Sequence, residues 1–205
     1  MRTDDVFICT PIMTQPHPMR LEKNIIAPIF KIKDIFGRVI DLNEYRDKKV
    51  LIAFFRHAGC PFCNLRVHAL SKESETLKSM NLEMIFFFES KEKVIQRSTF
   101  HLGVSPIPII ADPEKNWYNV YGLETSGYKS AVSHLTSFAQ TVWKAKSSGL
   151  PVHLMADGES ISTIPAEFLL DKDLVIKKLH YSQRLDDRME ISDIKSFAEN
   201  SKIFD

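Results

Sequence analysis

Residues 50 to 65, V-L-I-A-F-F-R-H-A-G-C-P-F-C-N-L, constrain this chain more than any other stretch. Val50 to Phe55 is continuously apolar, which marks a central strand covered on both faces. A turn follows over His57 to Gly59, and Pro61 suits the first position of a helix, where its missing N–H costs nothing. Cys60 and Cys63 then stand on the first turn of that helix. A strand buried on two faces needs a sheet beside it and helices above and below, so this run alone directs the chain toward an α/β layer structure.

The flanking segments follow the same grammar. The run I-I-A-P-I-F-K-I-K-D-I-F-G-R-V-I-D-L from Ile26, with Phe30 and Ile32, then Val39 and Leu42, on either side of Gly37, predicts a β-hairpin, and Asn43 to Arg46 a short helical turn. The helix opened by Pro61 is expected to reach about Met80, with Phe62, Leu65, Ala69 and Leu70 inward and Lys72, Glu73, Glu75 and Lys78 outward. L-E-M-I-F-F-F at 82 to 88 is a second buried strand, and Ser90 is the expected N-cap of a helix from Lys91 to about Leu102. P-I-P-I-I-A-D-P gives a strand at Ile107 to Ala111, after which Asp112 caps a helix opened by Pro113 and stopped at Gly122.

Between Glu124 and Ile164 the alternation is interrupted. Val132, Leu135, Phe138, Ala139, Val142 and Trp143 repeat at helical spacing, and Gly149 followed by Pro151 ends the repeat, so an amphipathic helix packed on the domain is expected, with a homodimer contact as the alternative. After Ile164-Pro165, A-E-F-L-L-D-K-D-L-V-I-K-K-L-H-Y reads as two strands joined at Asp171 to Asp173, and a last helix runs from about Asp187 to Asn200 on Met189, Ile194 and Phe197. Residues 1–24, broken by Pro11, Pro16 and Pro18, form an irregular arm. The expected organisation is that arm plus one domain over 25–205, with an insertion at about 124–164.

Composition narrows the partners. Lys plus Arg at 27 against Asp plus Glu at 26 leaves a formal charge of +1, so no field points to nucleic acid or to an acidic membrane. A small molecule or another protein is the expected partner. Three cysteines are too few for a disulfide scaffold. The apolar run Val6 to Cys9 is too short for a signal-peptide core and later runs are strand-sized, so a soluble, cytoplasmic protein with reduced resting thiols is expected.

A thiolate at a helix N-terminus is favoured by unpaired backbone N–H groups and by the positive end of the helix dipole. Cys60 holds that position and is expected to be the exposed, lower-pKa, attacking sulfur. Cys63, one turn inside, is near enough to close a disulfide and release what Cys60 has bound. Arg56 and His57 can add positive charge, while Gly59 and Pro61 shape the turn. A zinc site built with His57 or His68 is the rival use of the pair. No second Cys-x-x-Cys or His-x-x-x-His completes it, so no metal and no other cofactor is expected. Two inert buried cysteines are a further alternative, and Cys9 reads as a free thiol. Pro165, just before a strand, can adopt the cis form and lie beside the cysteine turn.

The order hairpin, strand, F-F-R-H-A-G-C-P-F-C, strand, helix, I-I-A-D-P-E-K-N-W-Y-N-V-Y-G-L, proline, F-L-L-D-K-D resembles the peroxiredoxin-like proteins of the alkyl hydroperoxide reductase and thiol-specific antioxidant (AhpC/TSA) family, over about residues 26 to 200. R-H-x-G-C-P-F-C and the ending Y-S-Q-R-L-D-D-R look most like its Cys-x-x-Cys branch. The resemblance implies a thioredoxin-like fold: a central mixed sheet flanked by helices, an N-terminal hairpin, and a helical insertion before a proline-led last hairpin. It also implies a thiol peroxidase in which Cys60 attacks a hydroperoxide, becomes a sulfenic acid and is resolved by Cys63, with thioredoxin or glutathione as reductant. Two features depart from the family pattern: Ala53 and His57 stand where peroxiredoxins usually have Pro and Thr. Arg97 and Arg184 lie in the later segments where a second site arginine is expected. A thioredoxin-like protein disulfide reductase and a non-enzymatic redox sensor or binding module, docking through residues 130 to 143, remain the alternatives.

Overall fold

The computed structural model describes residues 19–123, 139–152, 160 and 162–200. Strands β1 (Lys31–Lys33) and β2 (Val39–Asp41) form the expected antiparallel hairpin, with Ile32 opposite Ile40. Asp34 shapes its turn: Oδ1 accepts the backbone N–H groups of Phe36 and Arg38, and Gly37 takes the left-handed conformation at φ +81°. A 3-10 turn, Leu42–Tyr45, leads to β3 (Lys49–Phe54).

Then come α1 (Pro61–Lys72), α2 (Ser74–Ser79), β4 (Leu82–Phe88), α3 (Glu92–Gln96), α4 (Thr99–Gly103), β5 (Ile109–Ala111) and α5 (Asn116–Val120). A helix α6 occupies residues 139–147, and β6 (Ala166–Leu170), β7 (Ile176–Tyr181) and α7 (Ile191–Glu199) close the fold. The five-stranded sheet has the order β5-β4-β3-β6-β7, in which β3 runs parallel to β4 and antiparallel to β6. Among the described residues no helix is long and apolar enough to cross a membrane.

All six residues of β3 are buried, and their alternation divides the core in two. Leu51 and Ala53, with Phe55 just beyond the strand, face a layer holding Val67 and Leu70 of α1 and Ile194 and Ala198 of α7. Val50, Ile52 and Phe54 face Phe30, Tyr118 and Tyr121. Phe54 stacks on Phe87 at 4.6 Å between ring centroids and meets Tyr118 edge-on at 5.1 Å. A strand with water on neither side has no use for polar alternation, which is why its sequence is an unbroken apolar run.

Several elements differ from the sequence expectation, each for a local reason. The helix expected from Pro61 to Met80 is two helices, hinged at Glu73 (φ −94°, ψ 0°), so that Leu77 still reaches the core. The inward stripe of α1 is Cys63, Arg66, Val67 and Leu70, at i, i+3, i+4 and i+7, whereas Leu65 and Ala69 are only half-buried. Arg66 belongs to this stripe because its buried partner, Glu167, lies 101 residues away in the sequence.

The helix expected from Lys91 to Leu102 is broken at Arg97 and Ser98, and the hydroxyl of Ser98 accepts the His101 N–H to start α4. Ser90 is not a cap, because its hydroxyl is spent on the cysteine turn. Asp112 does cap α5, accepting the N–H groups of Asn116, Trp117 and Tyr118 at 3.1, 2.8 and 3.3 Å, but the helix opens at Asn116 and not at Pro113. Among the described residues the cis peptide bond is Ser105-Pro106. Ile164-Pro165, where a cis bond was expected, is trans, and the Pro165 carbonyl accepts the Ser182 N–H at 3.1 Å.

In α6 the apolar face is not the expected one. Trp143 is 74% exposed and Ala139 is exposed, while Ala145 is buried. Gly149, at φ +70°, turns the chain so that Leu150 is buried and donates its N–H to the Ala145 carbonyl. Val132, Leu135, Phe138, Cys9, most of the N-terminal arm and the larger part of the insertion lie outside the described residues.

Lys49, at the start of the central strand, is buried among three carbonyls at the end of α7. Its Nζ donates to Phe197, Ala198 and Asn200 oxygens at 2.8, 2.9 and 3.0 Å. It is thus a cation at a helix C-terminus, the favourable end of the dipole. Lys49→Met is expected to lower stability by ~1–3 kcal/mol by leaving these carbonyls without a donor, read as a shift in urea midpoint with an unchanged slope.

Candidate active site

The cysteine turn joins the C-terminal end of β3 to α1, and its backbone is tied from four directions. The Cys60 N–H donates to the His57 carbonyl at 3.0 Å, and the Asn64 N–H donates to the Cys60 carbonyl at 3.0 Å. The Ala58 N–H donates to the Ser90 hydroxyl at 2.8 Å, which is the work that removes Ser90 from its expected cap. Asn64 Nδ2 donates to the carbonyls of Ala58 and Pro151, both at 2.7 Å, and its Oδ1 faces His101 Nε2 at 3.1 Å. Every polar atom of this buried amide therefore has a partner.

Beneath the turn, the hydroxyl of fully buried Tyr118 donates to the Phe55 carbonyl, the last before Arg56. Burial, with the nearby charges of Glu89 and Asp112, pushes the Tyr118 phenol well above its ordinary range, so it stays a neutral donor. The A-D-P-E-K-N-W-Y run thus has a physical reading: Asp112 caps the short helix that delivers Tyr118 under the cysteine turn.

Cys60 is the N-cap of α1, and no acidic residue lies in the first helical turn to oppose a thiolate there. It is buried, at 1% exposure, and not exposed as expected. The reason is tertiary: Cys60 shares one apolar cluster with Phe62, Ile164, Leu185 and Met189, which come from α1, the β6 approach and the loop before α7. Cys63 is fully buried in the same cluster, and both thiols are free.

Arg56 reaches both sulfurs: its backbone N–H donates to Cys63 Sγ at 3.4 Å and its Nη1 to Cys60 Sγ at 3.8 Å. Burial by itself raises the Cys60 thiol. Hydrogen bonding from the Cys63 thiol, the Arg56 guanidinium, the Cys63 backbone N–H and the Arg188 guanidinium outweigh it and pull Cys60 down to about 6. Cys63 goes the other way: burial and the neighbouring Cys60, through hydrogen bond and charge, push it well above the ordinary thiol value. The two thiols are chemically distinct before any substrate arrives.

Of the other expected site residues, His57 is buried in the turn and contributes its carbonyl. Gly59 and Pro61 are buried beside Cys60. Pro165 stands at the cysteine end of the sheet, next to Ala166, which pairs with Phe54. His68 lies further along α1, its ring 6.4 Å from that of Phe100. Among the described residues no group of three or more His, Cys, Asp or Glu could hold a metal ion.

The arginines named from the sequence are displaced. Arg97 is exposed beyond α3, and Arg184 is at the surface pairing with Asp186 at 3.0 Å. The second guanidinium is Arg188, the last residue of the Y-S-Q-R-L-D-D-R ending. Its Nη1 donates to the Ser182 hydroxyl at 3.1 Å and the Asp187 carbonyl at 3.2 Å. Its Nε and Nη2 are buried without a hydrogen-bond partner among the described residues.

Three further charged residues escaped the sequence reading. Glu89, fully buried, accepts from the Thr163 hydroxyl at 2.6 Å, Lys115 Nζ at 3.0 Å and the Ser160 N–H at 3.1 Å, which pins the approach to Pro165. Arg66 and Glu167 form a buried bidentate pair at 2.8 and 2.9 Å. The available signals were the acidic residue closing the F-F-F-E run and the lone Glu inside A-E-F-L-L.

Comparison with solved structures finds similar folds. Peroxidoxin BcpB from Mycobacterium tuberculosis superposes with a TM-score of 0.62 at 10% identity, covering 89% of this chain and 99% of that one. A thiol peroxidase from Chromobacterium violaceum gives 0.60 at 14%, covering 89% and 88%. A yeast mitochondrial 1-Cys peroxiredoxin gives 0.59 at 14%, covering 85% and 73%. At such identities the likeness is one of fold, and it makes the mixed sheet thioredoxin-like. A search of curated proteins gives no match. The model of the AhpC/TSA family, however, matches residues 25–179. Three quarters of the sequence thus fits one family pattern, and the chain belongs to the AhpC/TSA family.

Proposed function

We propose that the protein is a thiol peroxidase that reduces a hydroperoxide through Cys60, with Cys63 as the resolving thiol. The observation that carries this reading is the opposite displacement of the two thiols. One is favoured as a thiolate near neutral pH by the Cys63 thiol, Arg56, the Cys63 backbone N–H at the start of α1 and Arg188, and the other, three residues along the chain, is kept protonated.

The chemistry follows from that difference. The Cys60 thiolate attacks the distal oxygen of the hydroperoxide, an S–O bond forms as the O–O bond breaks, the sulfenic acid keeps the hydroperoxide proton, and the alkoxide takes a proton from water to leave as an alcohol. The buried N–H groups of Arg188 Nε and Nη2 are suited to hold the oxygen that gathers charge. The Cys63 sulfur then attacks the Cys60 sulfenic acid, and hydroxide leaves as water with the proton that Cys63 has kept. A thiol reductant such as thioredoxin or glutathione returns the two electrons.

His57 stands where a peroxiredoxin usually offers a Thr hydroxyl, so in this reading substrate orientation falls to the two guanidinium groups. Burial of Cys60 at 1% exposure favours a small hydroperoxide over a protein disulfide, because thiol–disulfide exchange needs in-line approach of a bulky partner to the sulfur. A cytoplasmic setting, in which both thiols rest reduced, suits the cycle.

Stopped-flow consumption of hydrogen peroxide by the reduced protein, measured from pH 4.5 to 8.5, tests the reading. Protonation of Cys60 removes the nucleophile, so the rate is expected to fall as pH drops through about 6 and to be flat above about 7. A rate no greater than that of a simple thiol, together with ready reduction of insulin disulfides, would favour the disulfide-reductase alternative. Cys63→Ser is expected to keep the first, peroxide-consuming phase and to stop at the sulfenic acid. Mass spectrometry reads this as the adduct of a sulfenic-acid trap on Cys60, where the unaltered protein shows the loss of two hydrogens to a Cys60–Cys63 disulfide.

A further inference from the structure

We propose that Arg66 and Glu167 are positioning residues that fix the Arg188 guanidinium beside the Cys60 sulfur. The inference rests on the reading of Cys60 as the reactive thiolate. Neither residue makes a hydrogen bond to either sulfur. Both instead grip the peptide groups of Met189, the residue after Arg188: Glu167 Oε2 accepts the Met189 N–H at 3.0 Å, and Arg66 Nη2 donates to the Met189 carbonyl at 2.7 Å. The same two side chains are locked to one another, Nε to Oε1 at 2.8 Å and Nη2 to Oε2 at 2.9 Å, at 9% and 1% exposure.

The placement of the pair gives the clamp its function. Arg66 lies on the inward stripe of α1, the helix whose N-cap is Cys60, and Glu167 lies on β6 directly opposite Ala53 of the central strand. The helix, the sheet and the loop from Ser182 to Glu190 therefore meet at one point, and the loop cannot move relative to Cys60 without breaking buried, charge-assisted hydrogen bonds. The rest of the loop is braced toward the same end. Ser182 donates to the Pro165 carbonyl, and Asp187 receives His180 Nε2 at 2.9 Å and the Gln183 N–H at 2.6 Å. Among the described residues, Arg188 is left with one bonded nitrogen and two buried ones without a hydrogen-bond partner.

A purely stabilising ion pair and a positioning clamp predict shifts of opposite sign. Glu167→Gln removes a negative charge, which by Coulomb's law alone favours the thiolate and lowers the pKa of Cys60 further. Gln has one acceptor oxygen in place of two, so even with that oxygen on Arg66 Nη2 and the Met189 N–H its amide donor faces Arg66 Nε and loosens the grip. If that frees Arg188, the Cys60 pKa rises. The groups acting on Cys60 from the elements around it are Cys63, Arg56 and Arg188, and only Arg188 is held by this clamp.

The test is alkylation of Cys60 by iodoacetamide against pH, with the modified peptide identified by mass spectrometry and folding checked by far-UV circular dichroism. Glu167→Gln and Arg66→Lys are each expected to raise the midpoint from about 6 by about one unit, a roughly five-fold loss of thiolate at pH 6. The rise should vanish in an Arg188→Met background, where there is no guanidinium left to misplace. Should either single variant fail to fold, Arg66→Met combined with Glu167→Leu replaces the pair by apolar side chains of similar volume and should give the same rise. An unchanged or lowered midpoint in a folded variant, or an equal rise without Arg188, overturns the proposal. Alkylation reads the thiolate and not peroxide turnover, so a clamp that behaves as expected in a protein that consumes no peroxide overturns only the proposed activity.

Discussion

A thiolate inside an apolar core is the condition on which the rest of this molecule depends. Removing a charge from water is unfavourable unless other groups replace the lost solvation, and here the sulfur of Cys60 is at 1% exposure. The replacement comes from four sources: the Cys63 thiol, the Cys63 backbone N–H, and the guanidinium groups of Arg56 and Arg188. Two of them are supplied by the Cys-x-x-Cys turn itself. Arg56 follows from the strand that precedes it. Arg188 has to be brought from more than a hundred residues away, and much of the polar chemistry in the core serves that delivery.

This accounts for the buried polar groups near one end of the sheet. Asn64, Ser90 and Tyr118 each satisfy one backbone group of the cysteine turn, which leaves the turn with a single low-energy shape. Glu89 fixes the strand approach through Ser160, Thr163 and Lys115, and Arg66 with Glu167 fixes the loop. A charge buried alone would be strongly destabilising, but here each has a partner with directional hydrogen bonds, and breaking one member exposes the other. The opposite end of β3 follows the same logic with a different purpose, for Lys49 holds the last helix by its carbonyls.

Much of the fold could be read locally. Continuous apolar runs at 50–55 and 82–88 gave the two central strands to within a residue, because strands buried on both faces leave no polar alternation to mistake. Pro61 opened α1 and Gly37 turned the hairpin, since these residues act through their own backbone restrictions. The misreadings share one cause. Ser90 looks like a cap and Arg184 like a site arginine if only neighbours in sequence are weighed, yet the Ser90 hydroxyl is taken by the distant Ala58 N–H and Arg184 pairs with an acid two residues on at the surface. The inward turn of Ala145 in place of Trp143 has the same origin, as helical spacing defines a stripe but not which stripe meets the core.

The sequence by itself determined the chemistry that needs only adjacent residues. Two cysteines three apart at a proline-opened helix, after a buried strand and beside an arginine, place a thiol where backbone N–H groups favour its ionised form and a second thiol within reach. Tertiary structure decided what that pair experiences. It buried a sulfur expected to be exposed, set Cys63 well above Cys60 in pKa, and selected Arg188 over Arg97 and Arg184. The physical reason is range: hydrogen bonds and helix termini act within a few residues along the chain, whereas desolvation and ion pairing depend on which distant segments the fold packs around a group.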